Sequence, residues 1–395
     1  MNFVKYCFDK IVYNKHIWKL FYRLIKHYFP KDLYNVGRDF TKKNQKRILL
    51  CYLSPIGIAP TNLKHAAYYH YNQMIHVLCK MGYNIDICHC TETHFPQRFN
   101  DYKYDIIIGQ GPLYLDICKS HPNSKKILFC SENNPNVVKT NYKDRIEYFK
   151  QRHPKIKTSL ATVRNQYFTN EHLTISDEII LINSQYNSQS FKPYFSRIFT
   201  INVNAMINSN FNPECLENTT KATRKNFVVF GCNGLIHKGI DILLDVFKDL
   251  PEYKLHIFGL SKSEIKLFNL LKSNNTNNCG YIDVLSKSFI RQVINKNTFV
   301  ILPSCSEGMA SGVASCMAHG LIPIVTRECG FNKCKYIIEL EDYSIDAIKS
   351  QIQSLELIPN EELVKLRIGA MHYAKQQFSI EYFTQTFEKI IKEIN

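Results

Sequence analysis

Short, almost wholly apolar runs alternate with segments of helical period, and the alternation occurs twice. This predicts an α/β chain of two tandem domains, each a parallel sheet wound with helices. Three observations carry the prediction. The runs Arg47–Leu53 and Phe227–Phe230 are nearly free of polar residues over strand length, as in strands buried on both faces. A loop bearing glycine follows each run, and a helical stretch follows each loop. At about 150 residues per domain, 395 residues leave room for two such units and one further segment.

In the first half, Pro55, Gly57 and Pro60 mark the loop after the first strand, and a helix is expected over 63–81 with Gly82 as its stop. Further strands are expected at 83–88, 104–109, 126–130 and 178–183. Residues 201–226 are dense in Asn, Thr and Ser and contain Pro213, which places a linker at 206–226 between domains 48–205 and 227–375. In the second half, strands are expected at 227–231, 254–259, 298–302 and 322–326. Helices are expected at 240–250, 263–273, 284–294 and 308–319. The tail from 360 is helical, and its last piece, 376–395, is read as a separate helix. Two tandem sheets imply a central cleft that takes a ligand at the strand ends.

The net charge is +16, and residues 1–47 hold twelve Lys or Arg against three Asp, a net +9. In that segment Val4, Phe8, Ile11, Trp18, Tyr22, Ile25 and Phe29 share one side of a helix, Lys5, Lys15, Lys19, Arg23 and Lys26 gather beside them, and Pro30 ends the pattern. Two readings stay open: a basic N-terminal helix lying in an anionic membrane surface, or a helix packed on the protein with its lysines in water. No nucleic-acid motif accompanies the charge, so no nucleic acid is expected as a partner. No apolar run approaches the roughly 18 residues of a membrane span, and Asp9 and Lys10 interrupt any signal-like core. The fourteen cysteines include no Cys-x-x-Cys pair, and several sit inside apolar runs. A reducing, cytoplasmic location is expected, with peripheral membrane association under the first reading of the helix. Cys88-His89-Cys90 ends a strand and has no matching ligand pair, so no metal site is expected.

Two strand-to-helix junctions concentrate the chemistry. The first runs Phe230-Gly231-Cys232-Asn233-Gly234-Leu235-Ile236-His237-Lys238-Gly239. Unpaired amides at a helix start favour an anion, and Lys238 adds a full charge. The bland reading is an ordinary solvated turn. The second runs Pro303-Ser304-Cys305-Ser306-Glu307-Gly308-Met309-Ala310-Ser311-Gly312-Val313-Ala314-Ser315. Small residues there let a ligand approach the backbone, and the bland role of Glu307 is to cap the helix.

The ordered set resembles the donor-binding domain of GT-B glycosyltransferases, in particular glycosyltransferase family 4. It comprises the glycine loop closing on Lys238-Gly239, Asp241 to Leu244, Leu255 to Gly259, Gly280-Tyr281-Ile282, the Pro-Ser-x-x-Glu-Gly run, and the Met-Ala-x-Gly-x-Ile-Pro-Ile-Val run. The resemblance covers about 227–330. It implies two Rossmann-like domains and transfer of a sugar from a nucleotide-sugar to a glycan or lipid-linked acceptor. It also implies retention of anomeric configuration, no metal and no cofactor beyond the donor. Lys238 would hold the diphosphate and Glu307 the donor sugar. Ser311, Gly312 and Val313 would cradle the phosphates, and Gly239 and Gly308 would bind the donor with them. Tyr281 and Ile282 would lie by the base, and Gly57 would face the diphosphate from the other domain.

Two positions depart from the family. Asn233 stands where it has a phosphate-binding Arg, and Ser315 where it has a ribose-binding Glu; both retain hydrogen-bonding groups but carry no charge. Glu132, His65 and His70 are read as structural or acceptor-binding residues. A non-catalytic scaffold of the same fold and a sugar-nucleotide epimerase are the alternative readings.

Overall fold

A computed structural model describes residues 32–42, 44–54, 65–92, 96–158, 169–231 and 234–394. The expected basic helix within 1–31 lies outside the described residues, as do Gly57 and Asn233. The chain forms two compact units, one of residues up to 129 with 171–178, the other of 130–170 with 179–395.

The elements in chain order begin β1 (Leu33–Val36), β2 (Arg47–Tyr52), α1 (Ala66–Lys80), β3 (Asn84–His89), β4 (Ile106–Gly109), α2 (Gly111–Ser120), β5 (Lys125–Cys130), α3 (Pro135–Arg152), α4 (Asn170–Ile175), β6 (Glu178–Ile182), α5 (Gln185–Ser188) and β7 (Ile198–Ile201). The strands of the first unit lie in the order β1-β3-β2-β4-β5. Strand β2 pairs in parallel with β3 and β4, and Ile48 to Tyr52 are buried, the apolar run having two covered faces. Strand β1 was not expected; it lies antiparallel to β3 at the edge. The buried Asp86 carboxylate ties it in, accepting from the Asn35 amide at 2.9 Å, Arg47 Nε at 2.9 Å and the Tyr104 hydroxyl at 2.8 Å.

The second half continues with α6 (Cys215–Thr223), β8 (Asn226–Phe230), α7 (Ile240–Lys248), β9 (Lys254–Phe258), α8 (Lys262–Leu271), β10 (Thr276–Asn278), α9 (Lys287–Gln292), β11 (Phe299–Leu302), α10 (Ser311–Ala318), β12 (Ile322–Val325), β13 (Ile338–Glu339), α11 (Ile345–Ser354), α12 (Asn360–Gln377) and α13 (Ile380–Ile394). Six strands form a sheet in the order β10-β9-β8-β11-β12-β13, with every pairing parallel. Helix α6 falls inside the stretch expected as a linker. Its Leu216 is buried and meets Gly320, while buried Thr220 accepts from Arg367 Nη1 at 3.0 Å. Of the polar residues there, Thr220 serves a buried arginine, whereas Ser209, Asn210, Asn212, Glu214, Glu217 and Lys221 are exposed.

His319, after α10, is buried between the rings of Phe211 and Phe289. Its Nε2 accepts from the Asn208 amide at 2.9 Å, and its Nδ1 donates to the Ser315 carbonyl at 2.7 Å, which fixes the neutral ring. Burial drives its pKa down to about 4. The unfolded chain, titrating near 6.5, therefore binds more protons below that pH, and the stability His319 confers is lost as pH falls from about 6.5 toward 4. Between pH 7 and pH 5 the loss amounts to about 2 kcal/mol. Urea unfolding at both pH values should show the parent losing that much more than His319→Gln; equal losses would contradict the assignment.

Candidate functional site

From β8 the chain steps outward through β9 to β10, then returns to place β11 on the other side of β8. The β8/β11 pair is thus the switch point of this sheet, the position at which open α/β sheets take ligands. The two junctions singled out in the sequence are the loops that follow these two strands.

They are fastened to each other. The Cys305 amide donates to the His237 carbonyl at 2.9 Å, and His237 Nε2 donates to the Ser306 carbonyl at 2.5 Å. Across this seam Lys238 Nζ donates to Glu307 Oε1 at 2.8 Å, and Ser304 Oγ donates to the same oxygen at 3.1 Å. The side chains are 14% and 5% exposed, so the pair is largely buried. Glu307 is further fixed through its backbone, whose amide donates to the Glu328 carbonyl at 2.9 Å. A β-carbon at Gly308 would strike the Ser131 carbonyl, so only glycine admits this approach of the loop to the end of β5. Ser131 precedes Glu132, which is buried.

The glycine loop differs from its expected form. The amides of Gly234 and Leu235 do not await an external anion. Both donate to Glu264 Oε1, at 2.5 and 2.8 Å. Its other oxygen accepts from the amide and hydroxyl of Ser261 at 2.9 and 2.7 Å, completing a capping box on α8. A fully buried internal carboxylate therefore braces the turn that carries Lys238. Capping-box spacing marks Ser261 and Glu264 in the sequence, but not the reach of Glu264 to a turn 30 residues away.

The start of α10 has no side-chain cap, and Ser311 and Gly312 are partly exposed there while Val313 is buried. Ser315 is buried in the next turn, where its hydroxyl donates to the Ser311 carbonyl at 2.8 Å and accepts from the Met206 amide at 3.0 Å. Tyr281 and Ile282 follow the edge strand β10, two strands from β8, and Tyr281 is 75% exposed. The structure thus joins Lys238, Gly239, Glu307 and Gly308 directly, and sets Tyr281 and Ile282 at the far edge of the same sheet. In the first unit, His65 caps α1 through Nδ1, and His70 is buried on that helix.

Residues that the sequence did not single out support the loops. Asn141 of α3 donates to the Cys305 carbonyl at 2.8 Å. Asn187 donates to Asn183 Oδ1 at 2.8 Å and to the Glu328 carbonyl at 3.4 Å. Burial pushes the Cys305 and Cys329 thiols up to about 12, so neither is a nucleophile at neutral pH. Among the described residues all twelve cysteines are free and no group of three metal-ligating side chains occurs.

Residues 213–367 match the family model of the group 1 glycosyl transferases. A stretch of 177 residues is 29% identical to an uncharacterized glycosyltransferase of Methanocaldococcus jannaschii, covering 43% of this chain and 49% of that protein. The match therefore spans about half the length of the curated relative. Among solved structures, sucrose-phosphate synthase of Thermosynechococcus elongatus superposes with a TM-score of 0.59 at 12% identity, over 89% of this chain and 99% of that one. Anabaena HepE, solved in complex with UDP and glucose, superposes with a TM-score of 0.56 at 11% identity, over 89% and 100%. The fold is that of the GT-B glycosyltransferases, two α/β domains with parallel sheets, and the group 1 sequence pattern lies in the second half.

The Glu264 brace predicts a specific cost. Glu264→Ala orphans the Gly234 and Leu235 amides, and each buried unsatisfied donor costs about 1–3 kcal/mol. A denaturant midpoint should report a loss of about 3 kcal/mol. A loss below about 1 kcal/mol, as for a cap alone, would mean the turn does not depend on this carboxylate.

Proposed function

We propose, from the group 1 glycosyltransferase pattern in residues 213–367, that this chain transfers a sugar from a nucleotide-sugar to a glycan or lipid-linked acceptor. The reading includes retention of configuration and a reaction in which Lys238, rather than a metal ion, meets the leaving group's charge. The observation that carries it is the Lys238–Glu307 pair at the switch point of the six-stranded sheet.

In the ligand-free protein the two groups satisfy each other. A bound diphosphate offers Lys238 a more highly charged partner, and a charge-assisted contact to phosphate is the stronger one. Once Lys238 turns to the phosphate, Glu307 Oε1 keeps the Ser304 hydroxyl and has capacity for sugar hydroxyls, which donate to a carboxylate. As the glycosidic bond to phosphate breaks, negative charge grows on the diphosphate. A lysine held in place by a braced turn stabilises that charge without reorganising. Amides at the uncapped start of α10 add partial positive charge. Tyr281 and Ile282 remain the proposed neighbours of the base. Asn233 and Gly57 remain proposed donor contacts on the resemblance alone, whereas the Ser315 hydroxyl is engaged by the Ser311 carbonyl and the Met206 amide and is not proposed as one.

The +9 segment 1–47 is proposed to hold the chain at an anionic membrane surface that carries the acceptor, in a reducing, cytoplasmic setting. Among the described residues no helix is long and apolar enough to cross a membrane.

The test is a panel of nucleotide-sugars with release of free nucleotide as the readout, run on the parent, Lys238→Ala and Glu307→Gln. Lys238→Ala should weaken nucleotide binding by about 1.5–3 kcal/mol, roughly 10- to 150-fold. Glu307→Gln should lower turnover at least tenfold while leaving the thermal midpoint within a few degrees. Binding unaffected by Lys238→Ala would remove Lys238 from the site, and full turnover in Glu307→Gln would return that residue to helix capping.

A further inference from the structure

Helix α3 carries a side chain that the proposed chemistry does not use. Arg145 is fully buried, and none of its three guanidinium nitrogens has a hydrogen-bond partner. Its guanidinium lies over the ring of Tyr343, 4.2 Å from the centroid. Its Nη1 sits under Gly239, 2.5 Å from where a β-carbon would stand, and the Pro303 carbonyl is 2.6 Å from the same point. Gly239 has φ +70° and is the N-cap of α7, directly after Lys238. Any side chain at 239 would both strain the backbone and displace the arginine.

Arg367, the other arginine buried in this unit, and the half-buried Arg152 are provided for. Arg367 donates to the Gly320 carbonyl, Thr220 Oγ1 and the Asn297 carbonyl. Arg152 binds Asp241 and Asp245. Asp241 is hydrogen-bonded to Arg152 and feels Arg145 only through space. Asp245 is partly in water and is shared between Arg152 and His153. Two arginines and two carboxylates thus share the layer under the turn; both carboxylates are bonded to Arg152, and the Arg145 nitrogens are left without a hydrogen-bond partner. Arg145 moreover stands at the positive end of a helix, where a cation is disfavoured, and without the hydrogen bonds that normally accompany a buried charge. Lys238, the other cation of the turn, is neutralised by Glu307.

We propose that Arg145 is a positioning residue of the donor site, holding the Lys238–Gly239 turn at positive potential so that the turn receives a diphosphate. This rests on the proposed function. Arg145 does not touch the ligand. Its charge acts across Gly239, which contributes no side chain to separate them, and through a buried layer where the field is weakly screened. It adds from α3 a second cationic charge to that of Lys238.

The experiment uses the full chain with Arg145→Met, which keeps volume and loses charge, and Arg145→Lys, which keeps charge. UDP, ADP and GDP are titrated by calorimetry against the parent, and the tightest is carried forward with its monophosphate. Arg145→Met should weaken the diphosphate at least tenfold and the monophosphate less, with a thermal midpoint no lower than the parent's. Arg145→Lys should stay within about threefold of the parent. Diphosphate affinity unchanged in Arg145→Met would overturn the inference and leave the proposed function standing. A lowered midpoint with equal loss of both nucleotides would make Arg145 a structural residue and also overturn it. A parent that binds no nucleoside diphosphate would instead remove the proposed function, and this inference with it.

Discussion

The parallel pairing of β8 with β11 sets the distance on which the site depends. Register aligns Phe227 with Phe299 and Val228 with Val300, so both strands end side by side and their loops leave together. Because β9 and β10 lie on one flank and β12 and β13 on the other, nothing in the sheet intrudes between those loops. Lys238 and Glu307, 69 residues apart in the chain, meet at 2.8 Å for that reason. The apolar runs of β8 and β11 are therefore the energetic basis of a polar site: burying them on both faces fixes the strand ends, and the strand ends fix the charges.

Around the pair, the second unit spends buried polar groups on holding loops rather than on making a wider core. Glu264 braces the glycine turn, His237 stitches it to the next loop, Asn141 of α3 secures that loop, and Asn187 of α5 holds the Glu328 carbonyl to which the Glu307 amide donates. Each is a satisfied group whose loss would leave an orphaned partner, which makes such networks rigid. Arg145 differs from them in being unsatisfied. The contrast separates groups that build the site from one whose charge is available to it.

Long apolar strands and their glycine turns were legible in the sequence because burial on both faces leaves a continuous run. The ends of β2, β8, β11 and β12 fall within two residues of their expected limits. Strand β1 was not, since it lies at an edge with its side chains mostly exposed and its stability comes from pairing with β3. Strand β10, Thr-Asn-Asn, is polar at the opposite edge, and β13 has two residues. Helix α6 was hidden because its buried Thr220 serves Arg367, a partner 147 residues away. The same limit governs the site. Lys238 and Glu307 stand in local motifs, whereas Arg145, Glu264 and Asn187 act on loops distant in sequence, and no spacing rule reaches them.

The proposed transfer turns on Lys238 exchanging Glu307 for a phosphate. A crystal structure of the full chain with a bound nucleoside diphosphate tests this most directly. It should show Lys238 Nζ within about 3 Å of a phosphate oxygen, with the 2.8 Å contact to Glu307 Oε1 opened. A nucleotide bound elsewhere, with the Lys238–Glu307 contact unchanged, would contradict the account.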